Sequence, residues 1–240
     1  MSSIDAQSSP SSLSRLQSAL GIQFKDTSLL KQALTHSSFI NENLNAGIED
    51  NERMEFLGDA LLNLVVAEHL YREFPSLPEG KLTEIRVFLI RQEQLAARAG
   101  ALKLGDYMIL GKGEDSTGGR KKLNNLADTF EALVAAIFLD QGIETARSFV
   151  LHTMQGEMDA IRAGKPVLNF KALLQEHTQA EFKLLPSYEI VESSGPDHDR
   201  IFVVSVSLGD VVLAIGSGKS KKAAESEAAR LAFNKLTQTS

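Results

Sequence analysis

The run 51-NERMEFLGDALLNLVVAEHL-70 sets Glu52, Glu55 and Asp59 at i, i+3 and i+7 of a helical pattern, so their carboxylates point in a similar direction. A second run, 126-LADTFEALVAAIFLD-140, sets Asp128 and Glu131 at i and i+3. Both runs are apolar nearly all round, the mark of a helix that lies inside a protein. An unpaired carboxylate is costly there, and like charges close together raise the cost of ionising them. A hard divalent cation relieves both problems, because Mg²⁺ prefers carboxylate oxygens and keeps several waters. Gly58, beside Asp59, would let another backbone or a ligand approach closely. The ordinary alternative is a solvated acidic face, and Glu52 can simply favour a first helical turn, where the dipole welcomes negative charge. Two acidic sets on two otherwise apolar helices favour the cation.

The elements that must carry these groups follow from the spacing of apolar residues. From Leu13 to about Ile161 the repeats fall at three and four residues, through LSRLQSAL, TSLLKQALTHSSF, KLTEIRVFLIRQEQLAARAGAL and ETARSFVLHTMQGEMDAI as well as the two acidic runs. Pro75, Pro78 and Gly80 punctuate one junction, and Gly111, Gly113, Gly118 and Gly119 mark a long loop. Residues 13–161 are expected to form an all-α domain. A Ser-rich start, residues 1–12, reads as a disordered tail without the basic and apolar segments of a secretory signal. The stretch 162-RAGKPV-167 reads as a linker. After it the pattern changes to helix (168–182), three β-rich runs (187–195, 201–209, 211–218) and an Ala-rich helix (220–236) with Ser220 as candidate N-cap. Residues 168–237 are therefore expected to form a small α+β domain of order α-β-β-β-α, a sheet backed by two helices.

The acidic runs carry a resemblance. ERMEFLGDALL resembles the signature of the ribonuclease III family, usually close to ERLEFLGDSVL, and LADTFEALVAAIFLD resembles that family's second acidic motif. ALTHSSF and LPEGKLTEIRVFLI resemble it too, so the likeness covers nearly the whole chain after the tail. It implies an all-helical endonuclease domain that works as a homodimer and cuts double-stranded RNA with Mg²⁺, for which Mn²⁺ is an expected substitute. It implies metal ligands at Glu55, Asp59, Asp128 and Glu131, with Asp59 and Glu131 catalytic, and auxiliary acidic roles for Glu52 and Glu79. Ala60 and Met54 depart from the usual Ser and Leu, both conservatively for packing. Before the second motif, 120-RKKLNNLAD-128 stands where the family reads closer to RKESILAD, so Leu123, Asn124 and Asn125 are atypical.

The C-terminal order resembles a double-stranded RNA-binding domain, which reads A-form shape across two minor grooves and the phosphates between them. The resemblance implies contacts from Gln175 and Glu176 in its first helix, from His198 in 195-GPDHDR-200, and from Lys219, Lys221 and Lys222 at a helix N-terminus, where free N–H groups and the dipole favour phosphate. GKSKK lacks the spacing of a phosphate-binding loop, and no aromatic platform for single strands is present. The tract 120-RKK-122 can be read as a phosphate contact or as a solvated loop.

Bulk properties bound these expectations. The net charge of −6 is a mild argument against a simple basic nucleic-acid binder, so any RNA contact must use local clusters. The absence of cysteine excludes disulfides and thiolate metal sites. No window is long and apolar enough for a membrane helix, and the expected location is the cytoplasm, with no membrane partner. The reading is a Mg²⁺-dependent endoribonuclease that leaves 5′-phosphate and 3′-hydroxyl ends, in ribosomal RNA precursor processing and messenger RNA turnover. A duplex-binding regulator that does not cut fits the intact carboxylate set poorly. A phosphohydrolase for small nucleotides leaves the C-terminal domain unexplained.

Overall fold

A computed structural model describes residues 10–44, 47–163, 170–194 and 200–237, with side chains from Ser12 onward. The backbone clusters into two units, Met1–Lys165 and Pro166–Ser240.

In the first unit every long element is helical. Helix α1 (Pro10–Leu20) takes in three residues that the Ser-rich composition assigned to the tail, and Ser12 is buried. Helix α2 (Thr27–Ala33) is capped by Asp26, whose side chain accepts from the Ser28 N–H. Helix α3 (Ser37–Glu42) is capped by the His36 ring. Helix α4 (Glu52–Glu73) holds the first acidic run and buries Met54, Gly58, Leu61, Leu62, Val65, Val66 and Leu70. Helices α5 (Glu79–Ile90) and α6 (Gln92–Ala101) divide at Arg91, whose backbone is extended (ψ 152°), where the periodicity alone suggested one helix. Helix α7 (Lys112–Ser116) and a 3₁₀ turn at Gly119–Lys121 occupy the segment expected to be a long loop. Helix α8 (Leu123–Gln141) runs through the middle, and every residue from Ala132 to Ile137 is buried. Helices α9 (Ile143–Thr153) and α10 (Gln155–Arg162) break at Met154. No named strand falls among the described residues of this unit, only an isolated parallel bridge between Thr35 and Ile109.

Helices α4 and α8 form the central packed pair, with α2 and α6 also against α8. The core between them is Leu62, Val65, Val66, Phe130, Leu133, Val134 and Ile137, all at 0 % exposure. At that density an added methyl group is felt. Gly58 marks the closest approach: a Cβ there would lie 1.9 Å from the Glu131 carbonyl oxygen, so only glycine lets α4 and α8 cross at this point.

In the second unit, helix α11 (Phe170–Phe182) precedes β1 (Pro186–Ser194), β2 (Ile201–Leu208) and β3 (Val211–Gly218), and helix α12 (Lys221–Thr237) closes it. The strands form an antiparallel sheet of order β1-β2-β3 with Val206 opposite Tyr188 and Ala214. Both helices cover one face, where Phe170, Leu174, Ala228, Ala229 and Ala232 form one core cluster with Val206 of β2. Ser220 caps α12 as expected, its Oγ accepting from the Ala223 N–H at 3.1 Å. Arg162 ends α10, and residues 164–167 of the expected linker lie outside the described residues.

Candidate metal centre and RNA-binding surface

The crossing at Gly58 brings the two acidic runs together. One carboxylate oxygen each from Glu55, Asp128 and Glu131 lies within 4.8 Å of the others, and all three side chains are half-buried. Among the described residues none gives these three groups an ion pair, and their charges are left facing one another. Burial pushes Glu131 up to about 8, helped by Asp59, Glu55 and Asp128. Burial also raises Glu55, with Asp128, Glu52 and Asp59 adding to it. Asp128 is raised by burial, and the nearby His36 pulls it partly back. Three oxygen donors without an ion-pair partner among the described residues suit a hard divalent cation, since protonation is the other way to relieve them.

The structure separates the four expected ligands into three and one. Asp59 is exposed, and its Oδ1 accepts a hydrogen bond from Asn63 Nδ2 at 3.0 Å. Its charge acts on Glu55 and Glu131, but it stands outside the group of three. Glu52 and Glu79 are exposed in the first turns of α4 and α5, and Glu79 accepts from the Thr83 hydroxyl at 2.8 Å.

Sequence reasoning missed two residues beside this centre. His36 Nδ1 accepts from the Ser38 N–H (3.1 Å) and meets the Ser38 hydroxyl at 2.8 Å. A backbone N–H can only donate, so Nδ1 is the acceptor here and Nε2 is the nitrogen left to donate. The position of His36 comes from the bridge strand, where its N–H donates to the Ile109 carbonyl at 3.0 Å. The segment ALTHSSF contains this residue, but nothing local says that it comes within electrostatic reach of Asp128. Asn125, one of the atypical residues, is buried, and its Nδ2 donates to Glu114 Oε1 (2.7 Å) and to the Gly119 carbonyl (3.0 Å). It ties the first turn of α8 to the segment before it. Glu114 is held below the usual carboxylate range by Lys122 and then by Asn125.

The tract 120-RKK-122 is largely committed within the fold. Arg120 makes paired bonds to Asp115 (2.8 and 3.2 Å) and donates to the carbonyls of Gly105 and Met108. Lys122 pairs with Glu114 at 2.9 Å, and Lys121 is exposed. In the second unit Gln175 and Glu176 are exposed on α11, and Lys219, Lys221 and Lys222 are exposed at the turn and first turn of α12. His198 lies outside the described residues.

Comparison with known proteins gives these sites a context. Residues 26–158 match the ribonuclease-III-like family model, and residues 170–236 match the double-stranded RNA binding motif. The chain is 46% identical over 224 residues to a ribonuclease 3 of Dehalococcoides mccartyi, covering 93% of this chain and 94% of that protein. It is 43% identical over 222 residues to a ribonuclease 3 of Bacillus cereus, covering 92% of this chain and 90% of the relative. Among solved structures, the nuclease domain of ribonuclease III from Campylobacter jejuni aligns with a TM-score of 0.56 at 38% identity, covering 60% of this chain and 96% of that one. The helical domain with its acidic crossing and the α-β-β-β-α domain that follows are those of an endoribonuclease for double-stranded RNA, and the chain belongs to the ribonuclease III family.

Proposed function

We propose that the protein hydrolyses duplex RNA with Mg²⁺ held by Glu55, Asp59, Asp128 and Glu131, Mn²⁺ being able to substitute. The observation that carries this is the convergence of three half-buried carboxylates that have no ion-pair partner among the described residues. A cation bound there would supply Lewis-acid activation of water and stabilise charge on the leaving oxygen, and the oxygens of the scissile phosphate would help to hold a second. The chain's residues do the rest. The α4–α8 crossing orients Glu55, Asp128 and Glu131, and Asp59, one turn after Glu55, stands beside them as the fourth carboxylate of the set. Attack forms a new P–O bond, the P–O3′ bond breaks, and the products carry a 5′ phosphate and a 3′ hydroxyl. Glu52 and Glu79 contribute negative charge around the substrate path.

The second unit recognises the duplex through Gln175, Glu176 and His198 at the minor grooves and Lys219, Lys221 and Lys222 at phosphates, supported by their exposure where described and by the match of residues 170–236. The enzyme works as a homodimer through α4. Phe56 is 80 % exposed, Leu64 58 % and Tyr71 74 %, and with Ala60 and Ala67 they line one outward helix face. Beside Phe56 lies a cavity of about 630 Å³ walled by Leu29, Met54, Leu57 and Leu139. An aromatic residue next to an apolar socket suits a two-fold interface in which each copy fills the other. The Campylobacter jejuni structure concerns a region of that nuclease domain involved in dimer formation. Two active sites, one for each strand, then leave short 3′ overhangs. Precursors of ribosomal RNA and messenger RNAs in the cytoplasm are the substrates we infer.

Incubation of the full-length protein with a long RNA duplex tests this reading. Cleavage with Mg²⁺ or Mn²⁺, and none in chelator, is expected; cleavage that persists in chelator overturns it.

A further inference from the structure

Helix α10 (Gln155–Arg162) is the last described element of the nuclease unit, and its 8 residues are too few to hold a helix in water without a partner. Among its own residues only Met158 is buried. Its seat is incompletely filled: a cavity of about 230 Å³, walled by His69, Leu151, His152 and Gln155, opens beside Met158 and Arg162. Charged side chains fasten it. Arg98 of α6, only 5 % exposed, donates to Glu157 at 2.8 Å. Its other nitrogens hold carbonyls at the ends of α5 and α9, Leu89 at 3.1 Å and Thr153 at 3.2 Å. Arg162 donates to Glu73, the last residue of α4, at 2.6 Å, and this bond holds Glu73 below the usual carboxylate range.

We propose that Arg98, through Glu157, and Glu73, through Arg162, are positioning residues for duplex engagement. By docking α10 they fix where the tether to the RNA-binding unit begins, and so set that unit's reach. The inference rests on the reading that the second unit grips the duplex being cut. With α10 docked, seven residues, 163–169, separate Arg162 from Phe170. Whatever their conformation, they span at most about 29 Å. With α10 released, the connecting stretch begins at Gln155 and the limit about doubles. A unit on a longer tether meets its duplex at a lower effective concentration, which falls as about the −3/2 power of length. Lengthening from 163–169 to 155–169 lowers it by about 3-fold on that scaling.

The test uses the full chain with Glu73→Ala and Glu157→Ala together. Hydrogen exchange should show the α10 amides opened while α4 and α8 stay protected as in the wild type. In steady-state cutting of a long duplex, KM should rise by about 3-fold at unchanged kcat. Damage to the acidic centre would lower kcat instead. A second background carries about 24 Gly/Ser residues inserted after Ala163, which lengthen the tether with α10 still docked. The insertion by itself should raise KM by about 9-fold, and in its presence the two substitutions should add only about 1.4-fold. Unchanged protection of α10, a fall in kcat, or the same rise in KM in both backgrounds overturns the assignment. If the insertion raises KM while the substitutions do not, only the role of α10 falls; if the insertion has no effect, the tethered unit adds no affinity and both readings fall. Should exchange spread through the whole nuclease unit, Arg162→Ala, which removes only the outer pair, takes the place of the two substitutions under the same criteria.

Discussion

Glu131 is the residue on which the acidic centre turns. It sits on the most buried helix, and its folded-state pKa of about 8 stands well above its ordinary 4.5. A group raised on folding gives stability that is fully present below the unfolded value and is lost as pH rises through the folded one. In chelator, therefore, the melting temperature of the wild-type protein should fall between about pH 4.5 and about pH 8. Glu131→Gln should flatten that slope, because the amide does not ionise. Added Mg²⁺ should stabilise the wild type more at the upper end of this range, where the ligands give up protons more readily. Thermal melts across pH, with and without Mg²⁺, check all three. The same variant should bind duplex RNA normally and cut it at least about 100-fold more slowly, more than the loss of a supporting residue around a metal usually costs. Near-normal cutting would remove Glu131 from the ligand set.

At the scale of elements, the α4–α8 crossing and the first turn of α12 each carry a prediction. A methyl group at position 58 would meet the Glu131 carbonyl oxygen at 1.9 Å, which is backbone and cannot swing aside. Gly58→Ala should cost roughly 1–3 kcal/mol or more, as overpacking does. It should also weaken Mg²⁺ binding, because parting the helices parts Glu55 from Asp128 and Glu131. A melt that matches the wild type would mean that the crossing is looser than it stands here. On α12, the exposed Lys221 and Lys222 follow the Ser220 cap. Changing both to Ala should weaken every duplex by similar factors and reduce the salt dependence by roughly one to two counterions. A loss confined to some sequences would show that these lysines do something other than meet phosphates.

For the whole molecule the question is what each unit contributes. The nuclease unit contains the acidic centre and the outward face of Phe56, Leu64 and Tyr71. A chain ending near Ala163 is expected to remain dimeric by light scattering and to cut duplex RNA at low salt with excess Mg²⁺. Its activity should fall steeply as salt rises, because two tethered RNA-binding domains no longer add their affinity. Phe56→Asp in the full chain should instead shift the mass toward the monomer while leaving the melt of each protomer close to the wild type. A truncated chain that is monomeric, or inert under all these conditions, would place assembly or catalysis partly in the second unit.

Much of this was legible in the chain, and the limits have a physical pattern. Whatever is encoded by local spacing could be read: the helical repeats, the α-β-β-β-α order, the Ser220 cap, and Glu52, Glu55 and Asp59 on one helix face. The junction at Arg91 escaped, because apolar periodicity continues through it and only the packing of α6 against α8 decides where the chain turns. The fate of 120-RKK-122 escaped too, since Asp115, Glu114 and two backbone carbonyls claim Arg120 and Lys122 only after the chain folds back. The acidic centre lies between these cases. The sequence by itself determined which carboxylates share a helix face, because 3.6 residues per turn fix that locally. Only the tertiary structure decided that α4 and α8 cross at Gly58, so that Glu55 meets two carboxylates more than seventy positions away, and that the Asp59 side chain accepts from Asn63. Helix packing sets the first of these and a side-chain rotamer the second, and neither is a property of spacing along the chain.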